Sequence, residues 1–173
     1  MEDSLITIIA IFIAAILMFI VPMMSMSEMT DDISGVVARI ATVDFVDTVR
    51  KTGRLTEQDY NKFYNTLATT GNAYDIQLKV QVLDENASKK TTLSDSNIIG
   101  ENVYYDIYTS QIMENVSKNG VLVLKEGDIF SANVKNTNLT IAQQMQNFFY
   151  TIAGNDMYSI SGKHAGVVTL NGN

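Results

Sequence analysis

Leu5–Met24 reads LITIIAIFIAAILMFIVPMM and contains no charged residue. About twenty such residues are what a helix needs to cross a hydrocarbon core of roughly 30 Å. The helical pattern continues past that length. A polar break (Ser25, Ser27, Glu28, Thr30, Asp31, Asp32) is followed by apolar residues at Ile33, Val36, Val37, Ile40, Val43 and Val46. Gaps of three and four predict one stripe on a helix. Arg50 and Lys51 fall in the expected last turn, and Gly53 is placed to end it. Ser4 to Thr52 taken as one rod spans roughly 70 Å at 1.5 Å per residue. Less than half of that fits in a bilayer, so the remainder has to pack on something else.

The division expected from this is residues 1–52 as a hydrophobic, membrane-spanning assembly helix and residues 53–173 as a globular head. A net charge of −7, with no lysine- or arginine-rich block, makes nucleic acid and anionic membrane surfaces poor partners. The absence of cysteine excludes disulfides, thiolate metal sites and covalent haem attachment. A secretory signal begins with a basic segment, whereas Glu2 and Asp3 precede this apolar run and no Lys or Arg occurs before Arg39. Counting basic residues places the Arg39 side in the cytoplasm. A chain whose basic leader had been removed would take the opposite orientation, which is the reading favoured here.

Pro22, the only proline, sits inside the apolar helix. It removes one donor and crowds the preceding turn, so a kink or a melted turn is expected near Phe19–Pro22. Met18, Met23, Met24, Met26 and Met29 are suited to filling irregular gaps between helices. Beyond Gly53, Thr56 is an N-cap for a helix presenting Tyr60, Phe63, Tyr64 and Leu67, with Gly71 at its end. Tyr74–Val82 alternates strictly and predicts a half-buried strand. The polar stretch Asp84–Asn97 has the composition of an exposed loop. Val103–Val116 is expected to be a short helix. Val121–Leu124 and Ile129–Val134 are expected to form a hairpin through Lys125–Asp128. Thr140 and Gln143 make a capping-box pair before a helix carrying Ile141, Met145, Phe148 and Ile152. Two last strands, Tyr158–Ser161 and Ala165–Leu170, would be joined through Gly162-Lys163-His164. The fold class is therefore α+β: a long hydrophobic helix and a head whose mainly antiparallel sheet is covered by helices on one face.

No constellation of catalytic residues emerges. Gly162-Lys163 lacks the other glycines of a phosphate loop, and there is no GxGxxG, HExxH or GxSxG. His164, with Asp156 and Ser161 nearby in sequence, is better read as a surface residue of a glycine-rich turn. Asp31 and Asp32 are neighbours, but on a helix they point about 100° apart and do not share a site. Asp84-Glu85-Asn86 does not have the spacing of an EF-hand loop. Asn86, Asn115 and Asn138 begin glycosylation triplets that nothing else supports. The expected class is non-enzymatic, with no cofactor and no metal.

The layout resembles the pilins and pseudopilins of the type IV filament superfamily. The features that carry the likeness are the start at Met1 without a basic leader, the apolar run Leu5–Val21, and Pro22. A weaker similarity to TadE-like pseudopilins of tight-adherence systems rests on Phe45–Arg50 followed by Gly53, on Gly127-Asp128-Ile129, and on the closing stretch from Ser161-Gly162 to Val168. The resemblance implies a membrane-stored subunit, processed by a prepilin peptidase and extracted by type IV-like machinery into a helical homopolymer on the cell surface. On this basis the assembly contacts fall to Leu5, Ile8, Ile9, Phe12, Phe19 and Pro22 in the apolar run, and to Ile33, Val37 and Ile40 beyond it.

One departure concerns the fifth position, where most type IV pilins carry glutamate and this chain has Leu5. Glu2 or Asp3 would then have to neutralise the α-amino group of a neighbouring subunit, a charge costly to bury unpaired. Replacing both by their amides is expected to abolish assembly; normal filaments from Glu2→Gln/Asp3→Asn would rule that role out. The alternatives are a membrane-anchored monomeric binding or sensor module, and a minor pseudopilin that primes or caps a filament.

Overall fold

A computed structural model describes residues 2–84, 103–153 and 159–172. In chain order the elements are α1 (Glu2–Thr52), β1 (Arg54–Thr56), α2 (Glu57–Ala68), β2 (Tyr74–Asp84), β3 (Val103–Tyr108), α3 (Thr109–Asn119), β4 (Val121–Val123), β5 (Ile129–Asn136), α4 (Ile141–Ala153) and β6 (Ser161–Val167). The fold is α+β: a long apolar helix joined to a head of antiparallel sheets and helices. The loop reading for Asp84–Asn97 lies, after Asp84, outside the described residues, as does the stretch 154–158.

α1 stays helical through Pro22. The expected melted turn is not seen. Proline deletes only the bond to the carbonyl four residues back, that of Met18, and the turns on either side hold the helix. Hydroxyls along the second half fold back onto the helix itself, as from Ser34 to the Thr30 carbonyl (2.9 Å) and from Thr42 to that of Ala38 (2.6 Å). The helix ends at Gly53, whose N–H still reaches the Val49 carbonyl at 2.8 Å while its φ of 65° turns the following chain out of the helix. No other residue fits there, because an added Cβ would stand 2.2 Å from the Leu170 carbonyl oxygen of the returning C-terminal segment.

The main sheet has the order β3-β2-β5-β6 and is antiparallel throughout. Its register places Ile76 opposite Val134, Leu78 opposite Ala132 and Val80 opposite Phe130. All six are buried on one face. Ala38, Phe45, Val46 and Val49 of α1, Phe63 and Leu67 of α2, and Ile112 and Val116 of α3 close over that face in a single core. The second half of α1 is thus part of the head's interior. It lies directly on β6, where Gly162 and Gly166 make the close approach possible. A Cβ at Gly162 would come within 2.8 Å of Thr42 Oγ1 and 2.9 Å of the Ala38 carbonyl oxygen.

Several expectations are corrected. Val103–Tyr108 is a strand, not the start of a helix. Its Val, Ile and three Tyr suit a pleated surface, and the ladder to β2 ends where the Thr109 hydroxyl accepts from Leu78 N at 2.8 Å. The helix begins only at Thr109. Lys125–Asp128 does not join a hairpin: β4 pairs with β1, and β5 with β2 and β6. The segment is a corner between two sheets, fixed by buried Asp128, which accepts from Leu83 N at 2.9 Å and Lys125 N at 2.8 Å. The two expected terminal strands are one, Ser161–Val167, which runs straight through Gly162-Lys163-His164. Tyr64 is exposed, so the buried face of α2 is narrower than expected. The Thr140/Gln143 capping box is present, with reciprocal bonds of 3.1 and 3.2 Å.

Candidate assembly surface

α1 has two faces with different fates. Asp31, Ser34, Ala38, Ala41, Thr42, Phe45, Val46 and Val49 are buried against the head. Ile33, Val36 and Ile40 are 54, 53 and 63% exposed on the other side, with Val37 and Val43 between the two. The stripe expected from Ile33 to Val46 therefore splits. Val37, Ile40, Val43 and Val46 follow at gaps of three, and each such gap turns about 60° back around a 3.6-residue helix. By Val46 the run has turned from the open side into the core.

Towards the N-terminus, over Leu5–Met24, the helix is largely bare among the described residues, with only Ile20 and Met24 partly covered. Over an 18-residue window the mean hydropathy is 3.0 and none of the window is buried. Leu5, Ile8, Ile9, Phe12 and Phe19 are all exposed, Phe19 to 77%. Pro22 is exposed on the same segment. Glu2 and Asp3 lie on the helix backbone, and their side chains are outside the described set. Of the expected assembly residues whose side chains are described, none belongs to the head's core.

The junction between bare and docked helix is polar. The Thr140 hydroxyl donates to the buried Asp31 carboxylate at 2.5 Å, and Gln146 Nε2 donates to Glu28 at 3.0 Å. Both contacts join α1 to the first turns of α4. Asp32 points away from them, in keeping with the 100° between consecutive helical residues. The partners are more than a hundred residues apart in sequence, so no local pattern signals them. Gly162 and Gly166, by contrast, share one strand face by their spacing of four, a legible mark of close packing.

Farther along, Asp47 gathers the basic groups of the helix end. Arg50 Nε lies 2.8 Å from Asp47 Oδ1 and Lys51 Nζ 3.6 Å from Oδ2. The Arg50 contact is an ion pair whose N–H is not aligned for a hydrogen bond. His164 Nε2 approaches Asp47 Oδ1 at 3.6 Å, so the histidine sits on β6 against α1 and not in a turn. Ser161 is exposed on the opposite side of that strand, and Asp156 is outside the described residues. Among the described residues, no group of three or more His, Asp or Glu could hold a metal ion.

The uncovered face of the main sheet is polar. Lys79 Nζ lies 2.9 Å from Asp106, which also accepts from Gln81 (3.2 Å) and Tyr108 (3.3 Å). The bond from Lys79 is the main cause holding the Asp106 carboxyl below its ordinary range; desolvation opposes it, and the bonds from Gln81 and Tyr108 add to it. The same bond raises Lys79. A depressed folded pKa means that the stabilisation from Asp106 is present above the unfolded value and fades as pH falls through the folded one. A carbon-detected NMR titration of the full chain in detergent should place the Asp106 midpoint below 3.8. Lys79→Met should bring it back up; an unchanged midpoint in that variant would contradict the assignment.

The arrangement defines a class: an α+β head carried on one helix long and apolar enough to cross a membrane by length and composition. No family model, curated protein or solved structure matches the chain.

Proposed function

We propose that this chain is a structural subunit of a type IV pilus-like extracellular filament, stored in a membrane through Leu5–Met24 and polymerised through α1. One observation carries the proposal: the exposed apolar surface of α1 is longer than an anchor requires. Exposed apolar residues run from Leu5 to Ile40, roughly 54 Å at 1.5 Å per residue, against about 30 Å of hydrocarbon. Ile33, Val36 and Ile40 gain nothing from lipid below the membrane edge and nothing from their own head. Neighbouring copies of the same helix would cover both segments at once, and a contact repeated head to tail builds an open filament.

In this reading the head forms the coat, and the polar face bearing Lys79, Asp106 and Asn133 suits exposure to water. Motor, platform and prepilin peptidase are separate proteins, and the role needs no cofactor and no catalysis. Electron microscopy of material sheared from producing cells, with N-terminal sequencing of the fibre protein, tests the proposal. Fibres containing this chain support it; producing cells that carry the chain in their membranes and never bear such fibres overturn it.

A further inference from the structure

We infer that two copies of this chain pair in parallel and in register along the face of α1 turned away from the head, as a short two-stranded coiled coil at the membrane surface. The inference does not depend on polymerisation, because it concerns the subunit while it is still anchored.

The exposed residues of this segment follow a heptad. Met26, Ile33 and Ile40 occupy one core position, and Met29, Val36 and Val43 the other, with alternating gaps of three and four. Five of the six are exposed in the single subunit and Val43 is half-buried. The positions that a two-stranded coil leaves outside are here occupied by Ser34, Ala38, Ala41, Thr42 and Phe45, all buried against the head. One helix therefore has two seams on opposite sides, and docking the head leaves the second free. The seam stops at Asp47, the next core position, whose carboxylate is engaged by Arg50 and Lys51.

Charge selects the partner and the register. Arg39 is the first basic residue of the chain, is exposed, and among the described residues makes no ion pair or hydrogen bond within its own subunit. Asp44, five residues on, is exposed, and among the described residues its carboxylate has no such partner either. In the heptad frame Arg39 precedes one core position and Asp44 follows the next, which is the pair that meets across a parallel, in-register two-stranded coil. A two-fold axis makes that contact twice, Arg39 of each copy facing Asp44 of the other. The apolar seam is too short to hold two free chains together in water. Two anchors in one membrane supply the effective concentration that makes a short seam sufficient.

The chain has no cysteine, so single introduced thiols report pairing without background. A disulfide needs Cα atoms about 4.4–6.8 Å apart, a distance that identical core positions reach in an in-register parallel pair and not in a staggered one. In membranes of cells making the full chain without assembly machinery, copper-catalysed air oxidation should cross-link Ile33→Cys, Val36→Cys and Ile40→Cys. Yields should be at least fivefold above Asn65→Cys, an exposed control on α2. Adding Arg39→Asp or Asp44→Arg to Ile40→Cys should cut the yield about fivefold, and both together should restore it to within twofold. Core-position yields no higher than the control, or a charge swap that fails to restore them, would overturn the inference. Neither result would bear on whether fibres form.

Discussion

Exchanging Leu5–Met24 for an unrelated twenty-residue leucine–alanine span is expected to leave the protein inserted and its head folded, and to remove surface fibres altogether. The head should survive because its core contacts with α1 start only at Ala38, and the polar contacts from Thr140 and Gln146 reach Asp31 and Glu28, all outside the exchanged segment. Insertion should survive because length and hydropathy suffice for spanning. What the exchange destroys is the shape of the segment: Phe12, Phe19, Pro22 and the methionines that follow. Inside a bundle of sister helices, association rests on side-chain fit, since lipid tails are as apolar as the helices themselves. Immunoblots of membranes would report the subunit and microscopy would count fibres. A normal fibre count from the exchanged protein would mean that the segment is only an anchor.

The largest stability effect is expected at Phe45. Its ring stacks on Phe63 with centroids 4.3 Å apart and meets Phe130 edge-on at 5.6 Å, so it locks the long helix to α2 and to the sheet together. Phe45→Ala removes a buried ring from a packed site and should cost about 3–5 kcal/mol. For a chain of this size that lowers the melting temperature by roughly 10 °C. Ile40→Ala, one and a half turns away but facing outwards, should change the melting temperature of monomeric protein in detergent very little while weakening assembly. Equal losses from the two variants would mean that both faces of α1 serve the subunit's own fold.

The sequence made the rod legible because a run of charge-free residues and a capping glycine are local signals. Strand β2, the Thr140/Gln143 capping box and the α+β class were legible for the same reason. Less visible was anything decided by packing between distant segments. Val103–Tyr108 carries both a strand alternation and a passable helical spacing, and pairing with β2 selects the strand. Lys125–Asp128 resembles a hairpin turn until Asp128 is seen holding β2 as well as its own loop. Gly162-Lys163-His164 resembles a turn until α1 is laid across it, where glycine is needed because the helix backbone is close. The apolar stripe was legible as a stripe, but not its division into a docked and an open side. That division depends on which turn of the helix first meets the head, and it is marked by polar Asp31 and Ser34 rather than by any hydrophobic residue.

The central claim is that the bare half of α1 leaves lipid for the company of identical helices. A helical reconstruction of fibres sheared from producing cells tests it most directly. The account expects Leu5–Met24 of neighbouring subunits packed together along the axis, Ile33 and Ile40 covered by other copies, and heads outside. Fibres joined through their heads, with Leu5–Ile40 bare or touching only its own subunit, would contradict it.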